Sequence, residues 1–155
     1  MWQVATQPVP RLAEQNPAML PSYFIAASAA ILLLLGTIHL IYTFIGSKLH
    51  PRDEALKTTM QVVPPVISRE TTMWRTWIGF NASHSFGALL FGAIYAYLPL
   101  VHSEFFFKSG FLVMLGLVTL AGYILLARLY WFSVPFRGIV TATVLYCLGL
   151  VVRFA

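Results

Sequence analysis

The stretch YFIAASAAILLLLGTIHLIYTFIG, residues 23–46, decides the fold: it is 24 residues without a formal charge, closed by Gly46-Ser47-Lys48. An apolar run of about 20 residues is what a helix needs to cross the hydrocarbon core of a bilayer, and 24 cross it with some tilt. Ser22, following Pro21, is expected to cap this first helix. Three more such runs follow, at about residues 76–98, 109–131 and 136–153. Pro99 is read as the stop of the second, and Pro135 as the break between the third and fourth.

The whole composition agrees with these four spans. Of 155 residues, 59% are hydrophobic and 10% charged, against the roughly 25% charged residues of a soluble domain. The mean hydropathy is +0.78. The expected fold is an all-α integral membrane protein, a four-transmembrane-helix antiparallel bundle forming one domain over residues 1–155, because the links between spans two, three and four are short. The single cysteine, Cys147, excludes a disulfide or a multi-cysteine metal motif within one chain. The net charge of +5 is scattered around span ends, which fits membrane flanking and speaks against a nucleic-acid partner.

The first 22 residues hold Pro8, Pro10, Pro17 and Pro21 and read as an irregular, membrane-skimming arm. Residues 47–75 are the one long polar link, with a helical turn or two expected on either side of Pro64-Pro65. Lys48, Arg52, Lys57, Arg69, Arg75, Arg128 and Arg137 lie on the side of this link, against Arg11, Lys108 and Arg153 on the other. Seven against three predicts a cytoplasmic link and both termini outside the cytoplasm, as in a bacterial inner membrane.

Ionisable groups inside spans are costly, so each one needs a reason. His39 and His84 fall about 10–12 Å from the same membrane boundary, at a rise of about 1.5 Å per residue. Ser28, Gly36, Tyr42, Thr43 and Gly46 form a small and polar stripe with His39; Asn81, Ala88 and Gly92 share the face of His84. Three readings stay open for the pair. Each imidazole fixes helix register through a hydrogen bond, the two ligate a haem, or one acts as acid, base or donor towards a ligand. Gly79, Ser83 and Gly87, like Ala88, Gly92 and Ala96, are rows that permit close helix packing. Trp74, Trp77, Tyr130 and Trp131 read as an interfacial aromatic belt. No acidic residue lies within a span, which speaks against a carboxylate proton relay or a di-iron site.

Arg75 followed by Asn81-Ala82-Ser83-His84, then Ala127-Arg128-Leu129-Tyr130 and Pro135-Phe136-Arg137-Gly138, resemble motifs of the MAPEG family of membrane-embedded glutathione and eicosanoid enzymes. Asn81 matches the family's Asn-x-x-Glu, with His84 in place of the glutamate. The resemblance implies a trimer with sites between subunits near the cytoplasmic face, and a transfer or isomerisation with glutathione as a possible co-substrate. By this match Arg137 lies near the thiol. The candidate site is therefore Arg137 and His84 as catalytic residues, with Asn81, Arg75, Arg128 and His39 binding a lipophilic ligand, and no metal assigned. The alternative from another class is an accessory or scaffold subunit of a larger membrane complex.

Overall fold

The computed structural model describes residues 19–155. It is all-helical apart from turns and links: α1 Leu20–Phe44, α2 Glu54–Val62, α3 Met73–Val101, α4 Ser103–Lys108, α5 Gly110–Tyr130 and α6 Ser133–Phe154. The long helices α1, α3, α5 and α6 are each long and apolar enough to cross a membrane, which makes the chain a multi-pass integral membrane protein.

The helix boundaries follow local chemistry. Helix α1 starts before the expected cap: Met19 is its N-cap, and Pro21 sits in the first turn, where its missing N–H costs no hydrogen bond. Ser22 is therefore inside the helix, fully buried, and donates to Ser103 Oγ at 3.1 Å. The arm read over residues 1–22 is replaced by helix from Leu20 onward, and its earlier part lies outside the described residues. Helix α1 ends one turn before Lys48. Ile45 is extended and Gly46 takes φ 84°, a left-handed conformation that glycine adopts without steric cost.

Asp53, Thr72 and Ser109 cap α2, α3 and α5 by accepting from the backbone N–H of Ala55, Arg75 and Leu112. Pro99 does not stop α3, which continues to Val101, and the His102 N–H still reaches Leu98 O. Pro135 likewise falls inside the first turn of α6, so the break before that helix comes at Trp131–Phe132. The long link contains one helix, α2, before Pro64-Pro65 and none between those prolines and α3.

Helix α1 is the hub. It packs along α3 and α6, and α5 leans on α6, so closely packed neighbours are antiparallel. The α1–α3 contact is backbone-close. A Cβ on Gly36 would stand 3.0 Å from Ala88 Cβ and 3.2 Å from Ser85 O, and one on Gly92 would meet Leu33 and Ala29 O. The Ala88–Gly92 row thus packs helix against helix, as small-xxx-small rows do. Helix α5 reaches α3 through aromatic side chains. The bundle has a long-link end, where residues 45–72 and the α5–α6 turn lie, and a short-link end around α4.

The short-link end is filled by rings. Tyr95 stacks on Phe91 with centroids 4.3 Å apart and meets Phe106 edge-on at 5.7 Å. Its hydroxyl donates to Leu112 O at 2.7 Å, and that of Tyr146 to Val113 O at 3.1 Å. Gly116 makes room for both, since a Cβ there would collide with the Tyr146 hydroxyl and the Tyr95 ring.

Candidate functional site

At the long-link end, the close crossing of α1 and α3 brings His39 and His84 together, with ring centroids 5.4 Å apart and planes at 84°. Asn81 and His84 are three residues apart and so lie on neighbouring positions of one helix side. The Asn81 Nδ2 donates to Trp77 O at 2.8 Å, which leaves Oδ1 as the acceptor facing His39 Nε2 at 2.9 Å. The amide orientation assigns the imidazole: His39 must carry its proton on Nε2 to donate there, so Nδ1 of the neutral ring is an acceptor. Trp77 is itself held by the link, its Nε1 donating to Leu49 O at 3.1 Å. Thr43 Oγ1 donates to His39 O, and Ser85 Oγ to Asn81 O.

His84 differs from its neighbours. Three rings surround it edge-to-face: His39, Trp131 at 5.0 Å and Tyr123 at 5.8 Å, with Tyr123 and Trp131 also 6.0 Å from each other. Among the described residues neither imidazole nitrogen has a hydrogen-bond partner, and the Tyr123 hydroxyl has none either. The ring is only half-buried. On the same helix Asn81, Ser83, Ser85 and Tyr95 all have side-chain bonds. The His84 nitrogens and the Tyr123 hydroxyl are not enclosed by protein; the buried side-chain polar atoms that lack a partner among the described residues are Ser28 Oγ and Arg153 Nε, the latter on a guanidinium lying 5.4 Å from the Phe107 ring centroid.

Of the sequence candidates, His39, Asn81 and His84 come together and the arginines stay peripheral. Arg128 lines a shallow, open cavity of about 120 Å³ with Ala127, Trp131, Phe132, Ser133 and Phe136, so it neighbours the histidines only through Trp131. Arg75, third residue of α3, and Arg137, in the second turn of α6, are exposed; neither lines that cavity nor makes a side-chain hydrogen bond or ion pair among the described residues. The stripe read around His39 is also only partly interior. Gly36 and Thr43 are buried, while Tyr42 faces outward and Gly46 lies past the helix end.

Tyr123 and Trp131 are the site residues that sequence reading leaves out. Trp131 belongs to the interior cluster at His84 and not to an outward belt. A signal for both exists in α5. Gly116, Leu120, Tyr123, Ala127 and Trp131 recur at three- and four-residue spacing and form its inward stripe.

The geometry also tests the haem reading. Bis-histidine ligation needs a ring nitrogen aimed at the iron from each face of the porphyrin. Here the rings touch edge-to-face and His39 Nε2 is committed to Asn81, so the pair does not fit a haem between them. No protein-family model, curated protein or solved structure matches the chain.

Proposed function

We propose that the protein binds an amphipathic, lipid-soluble ligand at the long-link end, with the ligand's polar group on His84 and its apolar body against Tyr123 and Trp131. One observation carries this reading: His84, half-buried against a cluster of rings within a membrane span, keeps both ring nitrogens unpartnered among the described residues, on a helix whose other polar side chains around it are bonded. A polar group left without a partner in an apolar setting costs free energy that a ligand hydrogen bond recovers. His39, Asn81, Tyr123 and Trp131 carry no formal charge in their ordinary neutral forms, so the group they receive is a neutral donor or acceptor. Arg128, on the outer side of Trp131, supplies the positive charge for an acidic part of the same ligand.

Under the MAPEG likeness the reaction is a glutathione transfer or an isomerisation, in a homo-oligomer. Arg137 then stands beside the developing thiolate and His84 orients or donates. The basic link lies in the cytoplasm and both termini outside, in a bacterial inner membrane. Reporter fusions to the C-terminus test that orientation: activity of an exported reporter is expected, and fluorescence restricted to a cytoplasmic reporter overturns it.

The ligand test uses protein purified in mild detergent from wild type, His84→Phe and Arg128→Ala. Co-purifying lipophilic molecules are extracted and quantified by mass spectrometry, and thermal shifts are recorded with glutathione. A lipophile lost at least several-fold in His84→Phe is expected. Equal amounts from all three proteins, with no thermal shift specific to wild type, sink the proposal.

A second reading has its own observation. In the Gly79, Ser83 and Gly87 row on α3 all three residues are exposed; a Cβ on Gly79 would meet nothing, while one on Gly87 would touch the Tyr123 hydroxyl at 3.4 Å, so the open part of the row is Gly79 and Ser83. Such a row suits a helix of a partner subunit, as in an accessory or scaffold component. A stoichiometric unrelated partner in the same purification, released by Gly79→Leu, favours it over the ligand site.

A further inference from the structure

Helix α2 is amphipathic. At 100° per residue Ala55, Leu56, Thr59, Met60, Val62 and Val63 fall on one arc, and Glu54, Lys57, Thr58 and Gln61 on the other. Its apolar arc is not turned inward as in a helix packed on a soluble core: only Lys57 and Met60 are partly covered, and the other residues of both arcs are exposed. The Lys57 side chain, on the polar arc, is only 23% exposed and lies 6.0 Å from the Trp74 ring centroid, while Leu56 and Val62 are 51% and 71% exposed. No residue of α2 is buried. Beyond Pro64-Pro65, Val66 is fully exposed and Ile67 is 93% exposed.

These apolar side chains are tied to the start of a membrane span. The Met73 N–H donates to Val63 O at 2.8 Å, Trp77 Nε1 reaches Leu49 O, and His50 meets Trp74 edge-on at 5.0 Å. The link is thus fastened beside Trp74 and Trp77, two aromatic residues in the first turns of α3, where tryptophan suits the headgroup level. Residues 47–75 carry five basic and three acidic residues, a net +2, and Arg52, Arg69 and Arg75 are exposed without an ion pair among the described residues. Apolar side chains at the level of a span's start, flanked by unpaired arginines, match the acyl–headgroup boundary of a leaflet containing anionic lipid.

We propose that residues 54–72 form a membrane-surface element: α2 lies along the interface with Leu56 and Val62 towards the acyl chains, and the Val66-Ile67 tip dips into the same leaflet. The occupant of this apolar face is lipid, and a second copy of the chain is excluded by the test. The element anchors the link that carries Leu49, and through Trp77 and Asn81 it bears on the position of His39. The proposal is independent of what His84 binds.

The test places one environment-sensitive fluorophore at Ile67→Cys, and in separate proteins at Val66→Cys and Gln61→Cys, all in a Cys147→Ser background. Each is reconstituted at low protein density into vesicles of phosphatidylcholine with phosphatidylglycerol. Ile67 and Val66 pack against nothing in the monomer, so the substitutions leave the bundle intact. Expected are blue-shifted emission at 66 and 67, several-fold stronger quenching there by nitroxide-bearing lipid than at 61, and several-fold weaker quenching by iodide. Equal quenching at all three positions overturns the proposal. So does protection at 66 and 67 that vanishes on dilution of protein into more lipid, which would mean that another copy covers the tip.

Discussion

Both ends of the bundle bring aromatic rings of α3 together with those of neighbouring segments, yet they treat polar atoms in opposite ways. At the short-link end the hydroxyls of Tyr95 and Tyr146 each donate to a backbone carbonyl of α5, and the glycine between them is tight enough that any side chain would collide. At the long-link end the ring nitrogens of His84 and the hydroxyl of Tyr123 have no hydrogen-bond partner among the described residues, and both side chains are only half-buried. A polar group in a low-dielectric interior is stable when fully bonded and costly otherwise. One end is therefore built for stability, and the other holds hydrogen-bonding capacity in reserve.

The largest expected effect comes from breaking the sealed end. Gly116→Val drives a branched side chain into Tyr146 and Tyr95, and overpacking of this kind costs about 3 kcal/mol. Denaturation in mixed micelles checks it, and an unchanged midpoint would mean that the tyrosines repack freely. Next is His39→Ala, which strands Asn81 Oδ1 inside the bundle and is expected to cost about 1–2 kcal/mol in the same measurement.

The sharpest contrast needs two nearly isosteric changes. Tyr146→Phe deletes a bonded hydroxyl and should cost about 1 kcal/mol. His84→Phe deletes unbonded nitrogens while keeping a ring among rings, and should leave stability within about 0.5 kcal/mol of wild type or raise it. If His84→Phe costs as much as Tyr146→Phe, the imidazole is structural and the two ends do not differ.

The smallest effect concerns Glu104, on the rim of the sealed end. Its carboxylate accepts from Lys108 Nζ at 2.6 Å, and that hydrogen bond, with the lysine's charge and a lesser pull from Arg153, holds it below its ordinary value of 4.5. A lowered folded value means that the pair contributes above the unfolded value and is lost as pH falls through the folded one. Carboxyl NMR should show Glu104 titrating below 4.5 and moving back up in Lys108→Ala, with little change in overall stability because the pair is exposed.

The four spans are legible in the sequence because crossing a bilayer demands long uncharged runs, and no tertiary contact is needed to see them. Their ends are less so. Pro99 and Pro135 look like breaks, yet a proline in a helix's first turn forfeits nothing, and near its last turn it removes a single bond. The meeting of His39, Asn81 and His84 is foreshadowed by depth and spacing alone. For Tyr123 and Trp131 the spacing of the α5 stripe marks an inward face, but not that this face meets His84, which depends on how α5 stands beside α3. The arginines share an end of the chain's topology with the histidines, but a long flexible side chain at a helix end is drawn outward, and Arg75 and Arg137 lie exposed.

The position of α1 at the hub bears on how the protein is made. Its antiparallel partners are α3 and α6, and α6 is the last of the four spans to leave the ribosome. Until then the α1 surface that receives α6, where Gly149 settles against Ile25 and Pro21 and Gly138 against Leu35, lacks the helix that covers it in the finished bundle. Pairing of α1 with α3 can begin during insertion, but these four spans close into a bundle only after α6 is released. A chain stalled before Ser133 therefore presents the membrane's quality-control proteases with an unfilled groove on its first helix.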